Sequence, residues 1–222
     1  MSDEADPNAV GVLMELACTS LSSQLDQRGG SPMLVADPLH GLSVARQIAQ
    51  GLAHLHAHGL YHGSLWPQNV MLGANGKEVK LTDYGRSKRI VAELLVAEAE
   101  RIASELALDP HTCQAHDGWR GPYTAPEQLA AQAWGTPADL YALGAILARM
   151  GSRGPLFADL AAPWHAVSLR LASGEASAAD SMKHAAAARA IPSETMALVQ
   201  GLLSLQQEAR LDATHAERAL QV

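Results

Sequence analysis

The chain has 222 residues, 48% hydrophobic but only 4% aromatic with a single Phe, so its core is built from Leu, Ala, Val, Ile and Met, a composition that favours helix. Acidic residues outnumber basic ones 23 to 16 for a net charge of −7, and no Lys/Arg-rich run stands out, which argues against nucleic-acid or anionic-membrane binding. Cys18 and Cys113 make no disulfide scaffold, no signal peptide opens the chain and no apolar run is long enough for a bilayer, so an intracellular, cytoplasmic protein is expected rather than a secreted one.

Residues 1–9 form a short acidic tail. The apolar run from Val10 to Leu16 has strand character, and a polar helical stretch from Ser20 to Arg28 ends at Gly29-Gly30-Ser31-Pro32. From Leu42 to His58 the pattern is helical, with Ile48, Leu52 and Leu55 on one face and Gly59 placed for a left-handed cap. Val70-Met71-Leu72 and Val79-Lys80-Leu81, joined by a loop containing Asn75-Gly76, predict a β-hairpin. Helix returns over 90–108 and stops at Asp109-Pro110, and residues 111–124 read as a loop. Asp139 to Met150 predicts a deeply buried helix. Shorter helices follow near Trp164 to Ala172, Ser193 to Leu205 (with Ser193 as N-cap) and Ala213 to Leu220. No internal repeat interrupts this order.

Several motifs carry chemistry. Leu55-His56-Ala57-His58-Gly59 leads into His62-Gly63-Ser64-Leu65-Trp66-Pro67-Gln68-Asn69, followed by the hairpin and then Asp83-Tyr84-Gly85. Ala125-Pro126-Glu127, Asp139-Leu140-Tyr141-Ala142-Leu143-Gly144 and Arg210 come later. In this order they resemble the eukaryotic protein kinase family: the catalytic loop H-R-D-L-K-P-x-N, then D-F-G, A-P-E, the D-x-W-S-x-G helix and a late Arg that pairs with the A-P-E glutamate. The resemblance covers residues 10–222. It implies a hinge at about 10–30 with Glu15 and Leu16 as candidate nucleotide contacts, and a catalytic-loop region at 60–85. It further implies an activation segment at 83–127, longer than usual, and C-terminal helices over 139–222. Asn69 and Asp83 become candidate magnesium ligands and ATP contacts, since magnesium takes few protein oxygens and relies on phosphate and water for the others. The alternative is that both are turn residues. His62, Tyr84, Gly85, Glu127, Asp139 and Arg210 take fold-maintaining roles. Asp139 is expected to accept hydrogen bonds from the loop backbone, and Glu127 and Arg210 to form a partly buried pair.

The departures from the family's pattern decide the functional expectation. Ser64 stands where the family has its catalytic aspartate, and a neutral hydroxyl cannot act as that base. Losing a positioned general base costs roughly 10²–10⁴ in rate. Trp66 replaces the loop lysine, and Gly63 replaces the arginine that reads activation-loop phosphorylation. No G-x-G-x-x-G and no upstream lysine precede Val10. The expected fold is therefore α+β and predominantly α-helical, a protein-kinase-like large (C-terminal) lobe with small β-hairpins and no complete N-lobe. Apolar positions near Val10, Leu13, Leu72 and Leu81 are then expected to meet water unless other protein subunits cover that face. The functional expectation is a catalytically inactive scaffold or interaction subunit that requires no cofactor. A divergent Ser/Thr kinase completed by a small lobe in trans, and a nucleotide/magnesium sensor, are the alternatives.

The helix at 90–108 reads as a solvated amphipathic insert, as a docking helix for a partner, or as a plug over the groove where the family binds its substrate. Two histidine groups complete the inventory. His54 and His58 lie one helical turn apart, a spacing that can bind metal, but no acidic third ligand is nearby and His56 fits the family's L-H pattern. His111, Cys113 and His116 form a looser group, short of the four ligands of a structural zinc site.

Overall fold

The computed structural model describes residues 15–27, 33–83, 88–89, 121–130, 132–152, 157, 164–178 and 193–221. The reading of 90–108 as helix, the strand residues before Glu15 and the His111/Cys113/His116 group lie outside them, as do Tyr84 and Gly85.

The described residues are mostly helical, with two small antiparallel sheets. The first strand, Thr19–Ser20, pairs with Val70–Leu72, which in turn pairs with Val79–Leu81. Among the described residues strand pairing begins at Thr19; of the expected Val10 to Leu16 run only Glu15 and Leu16 are described, and Leu16 is 95% exposed. The hairpin forms at the expected residues, in register Val70↔Leu81, Met71↔Lys80 and Leu72↔Val79. Its loop turns on Gly76, whose φ of 67° lies in the left-handed region that glycine adopts without strain. The Asn75 side chain there accepts the Lys77 N–H at 2.8 Å. Leu72 is fully buried and does not meet water as expected. The period of two along the strand turns Val70 and Leu72 inward together, leaving Met71 on the other face.

Helix Pro38–Ala57 starts one turn before the expected Leu42. Asp37 caps it by accepting the His40 N–H at 3.2 Å, and Pro38 tolerates the first turn, where its missing N–H costs nothing. Val44, Ala45, Ile48 and Leu52 form its buried stripe, while Leu55 is half-buried. Gly59, at φ 67°, ends it. Helix Thr136–Met150 runs through the core, and every residue from Ala138 to Ala148 is buried. It starts three residues before Asp139 because Pro137 fits a first turn. A Cβ on Gly144 would lie 2.9 Å from the Leu202 Cβ, so glycine permits the close approach of helix Ser193–Leu202. That helix and Ala213–Ala219 end earlier than expected, the latter capped by Asp212, which accepts the His215 N–H at 2.8 Å. Trp164–Ala172 matches its expected span. Among the described residues no helix is long and apolar enough to cross a membrane.

Candidate functional site

The hairpin register builds the centre of the site. Because Val70 pairs with Leu81, the next residues along each strand also face one another, and the Thr82 N–H donates to the Asn69 carbonyl at 3.0 Å. Pro67 opens a short 3₁₀ turn, Pro67–Asn69, that folds the Asn69 side chain back into the loop. Its Nδ2 donates to the Ser64 carbonyl at 2.7 Å and to Asp83 Oδ2 at 3.3 Å. Asn69 is buried, whereas Asp83 is exposed at the end of the hairpin, with φ 64°, a left-handed conformation that Asp tolerates better than most residues. The contact is made by the amide nitrogen; the Asn69 oxygen and the Asp83 carboxylate are the hard oxygens with which these two residues could hold a magnesium ion that takes its other ligands from phosphate and water. Among the described residues no group of three or more His, Cys, Asp or Glu forms a metal cluster.

The loop between Tyr61 and Leu65 hangs on one carboxylate. Asp139 is 1% exposed in the first turn of its helix, where the helix dipole favours negative charge. Its Oδ2 accepts the His62 backbone N–H at 2.8 Å and its Oδ1 the Gly63 N–H at 2.8 Å. His56 Nε2 lies 2.9 Å from the same Oδ2. Gly63 sits at φ 71°, which lets two successive N–H groups converge on the carboxylate. The His62 ring is fully buried, accepts the Ser64 N–H on Nδ1 at 3.3 Å and rests against the Thr82 backbone. Burial pushes its imidazole below the ordinary histidine range, against the opposing pull of the Asp139 charge. Ser64 is buried, with its hydroxyl 3.5 Å from Asn69 Nδ2.

Beside this loop lies a cavity of about 60 Å³, whose lining includes Ser64, Trp66, Tyr123, Thr124, Gln128 and Asp139. It has room for a few water molecules, far less than a site that encloses a whole small-molecule ligand. Behind it, Arg210 forms a bidentate pair with Glu127, at 2.5 Å to Oε1 and 2.8 Å to Oε2, with both side chains buried. The same guanidinium donates to the Ser204 carbonyl at 2.9 Å and the Pro137 carbonyl at 2.9 Å, and lies 5.2 Å over the Tyr141 ring. One side chain therefore joins the Ala125-Pro126-Glu127 segment to the start of helix Thr136–Met150 and to the C-terminal helices.

A loop anchored on a buried helix aspartate, an Asn–Asp pair fixed by a hairpin and a buried Glu–Arg link now stand in one arrangement. The family model described as "Protein kinase domain" matches residues 5–220. The chain belongs to the protein kinase family. Cyclin-dependent kinase 4 of Mus musculus is 36% identical over 113 residues, which is 50% of this chain and 31% of the mouse protein. The Ovis aries protein of the same name is 35% identical over 113 residues, again 50% of this chain and 31% of the relative. Cyclin-dependent kinase F-3 of Oryza sativa is 33% identical over 112 residues, 50% of this chain and 21% of the rice protein. The match thus spans a third or less of the length of these relatives.

Within this kinase domain, His62, Ser64, Asn69, Asp83 and Asp139 come together around one loop, and Glu127 meets Arg210 behind it. The two residues expected at the hinge are not drawn into that cluster: Glu15 makes a solvent-exposed pair with Lys80 at 3.3 Å, and Leu16 is almost fully exposed. His56 as the third partner of Asp139 was not legible as such, since its L-H placement marked a position and no partner. Nor could spacing reveal that Tyr123, Thr124 and Gln128 would line the same cavity as Ser64.

Proposed function

We propose that this kinase domain is a pseudokinase: it does not transfer phosphate and serves as an interaction subunit of a larger protein assembly. The observation that carries the reading is Ser64, a buried neutral hydroxyl at the place of the family's catalytic aspartate. From His62 to Asn69 the loop holds neither a carboxylate nor a Lys or Arg, because Gly63 and Trp66 replace the other two charged positions. Asp139 is a poor substitute base, since it is 1% exposed and both its oxygens are held by N–H donors. In this reading no cofactor is required, the partners are proteins, and the domain works inside the cell.

Phosphate transfer from Mg-ATP to a generic Ser/Thr peptide tests it, with the wild-type chain beside Asp83→Asn and Ser64→Asp. We expect no transfer by wild type. Transfer by wild type that is lost in Asp83→Asn overturns the proposal and returns the domain to the active kinases.

A second reading, a nucleotide/magnesium sensor, is favoured by the 3.3 Å approach of Asn69 to Asp83. It requires Mg-ATP to raise the melting temperature of wild type but not of Asp83→Asn, with no transfer in either. No shift at millimolar nucleotide removes it.

A further inference from the structure

We propose that His54 and His58 form a surface chelate for one divalent transition-metal ion, independently of any kinase chemistry. They occupy successive turns at the C-terminal end of helix Pro38–Ala57 and its cap, and both are exposed. Residues four apart on a helix project on the same face. Here the two imidazoles lie with ring centroids 4.4 Å apart, tilted by 47°.

The spacing alone left the pair as two solvated histidines; the hydrogen bonding changes that. At the end of a helix the last carbonyls lack intrahelical donors. The His58 N–H turns to the Leu55 carbonyl at 3.0 Å, and the His54 carbonyl is met instead by His58 Nδ1 at 2.7 Å. A carbonyl can only accept, so Nδ1 carries the proton and the lone pair of the neutral ring sits on Nε2. A ring N–H fixed on a backbone carbonyl, with the other nitrogen bare, is the arrangement that orients metal-ligating histidines. One imidazole nitrogen of His54 completes the chelate on the same face.

The helix C-terminus adds negative potential that favours a cation. Neutral imidazoles select borderline ions such as Ni²⁺, Cu²⁺ and Zn²⁺ over Mg²⁺ or Ca²⁺. Among the described residues no further His, Cys, Asp or Glu completes a cluster of three, so the proposal is of a two-histidine chelate, for which micromolar affinity is the expected range.

Calorimetric titration of the chelator-stripped, tag-free chain with NiCl₂ tests this. The expected result is a micromolar site that weakens by about tenfold or more in His54→Ala and in His58→Ala, as loss of ligand orientation does elsewhere. His215→Ala, at another exposed histidine, is expected to leave it unchanged. Both positions are exposed, so circular dichroism of the variants should match wild type. Absence of Ni²⁺ binding at 0.1 mM on the order of weak surface sites, or a titration unaltered in the His54→Ala/His58→Ala double variant, overturns the proposal.

Discussion

Asp139 Oδ1 accepts the backbone N–H of Gly63 at 2.8 Å, from a carboxylate that is almost completely buried. This contact fixes the loop on which the functional reading turns, because it and the neighbouring His62 N–H are the donors that justify burying a charge at all. Asp139→Ala should therefore cost about 3 kcal/mol, as two backbone donors lose their acceptor in a dry site. Urea unfolding measures it; a loss below about 0.5 kcal/mol, the scale of a surface change, would show that the loop is held by other contacts.

Gly63 makes a separate demand. At φ 71° a side chain is strained, so Gly63→Ala should lose about 1 kcal/mol with little change in secondary structure. An unchanged urea midpoint would mean that the loop relaxes out of the left-handed region.

The Glu127–Arg210 pair should be more costly to break. Arg210→Ala leaves the Glu127 carboxylate buried without its partner, for which about 3–5 kcal/mol is expected. Glu127→Gln keeps the shape and a hydrogen-bond acceptor and should cost less. The order of the two variants in a denaturant series is the check.

Tyr141 points the other way. It is fully buried, and among the described residues its hydroxyl has no hydrogen-bond partner. Tyr141→Phe removes an unsatisfied polar atom while keeping the ring under Arg210, and should stabilise the domain by about 1 kcal/mol. A lower urea midpoint would reveal a partner for the hydroxyl.

His62 gives a pH dependence with a definite sign. Burial lowers its folded pKa below the unfolded value of about 6.5, so below that pH the unfolded chain binds more protons. The His62 contribution is fully present above pH of about 6.5 and is lost as the pH falls toward the folded pKa, with a limiting slope of about 1.4 kcal/mol per pH unit. His62→Gln should flatten the stability curve on the acid side relative to wild type. Parallel curves for the two proteins would place the titration elsewhere.

Much of the domain was legible because its signals are local. The hairpin, the Gly59 stop, the buried character of 139–150 and the neutral loop at Gly63, Ser64 and Trp66 follow from side-chain period, turn chemistry and residue type, which depend on neighbours in sequence. Motif order alone suggested that Asp139 and Arg210 serve the fold.

What the sequence could not decide was which atoms meet across long separations. That Leu72 is buried, that His56 shares Asp139 with the loop and that Arg210 also reaches the Ser204 and Pro137 carbonyls depend on how helices and sheet pack. Burial then fixes the consequences: the same residue type is an exposed group paired with Asp212 at position 215 and a buried acceptor at position 62. That the loop from His62 to Asn69 holds no carboxylate, Lys or Arg was determined by sequence alone, since a residue's chemistry travels with its identity. That the Asp139 carboxylate, expected to hold the loop backbone, also takes His56 as a partner and is closed off was decided only by the tertiary structure, because a group's availability depends on its surroundings.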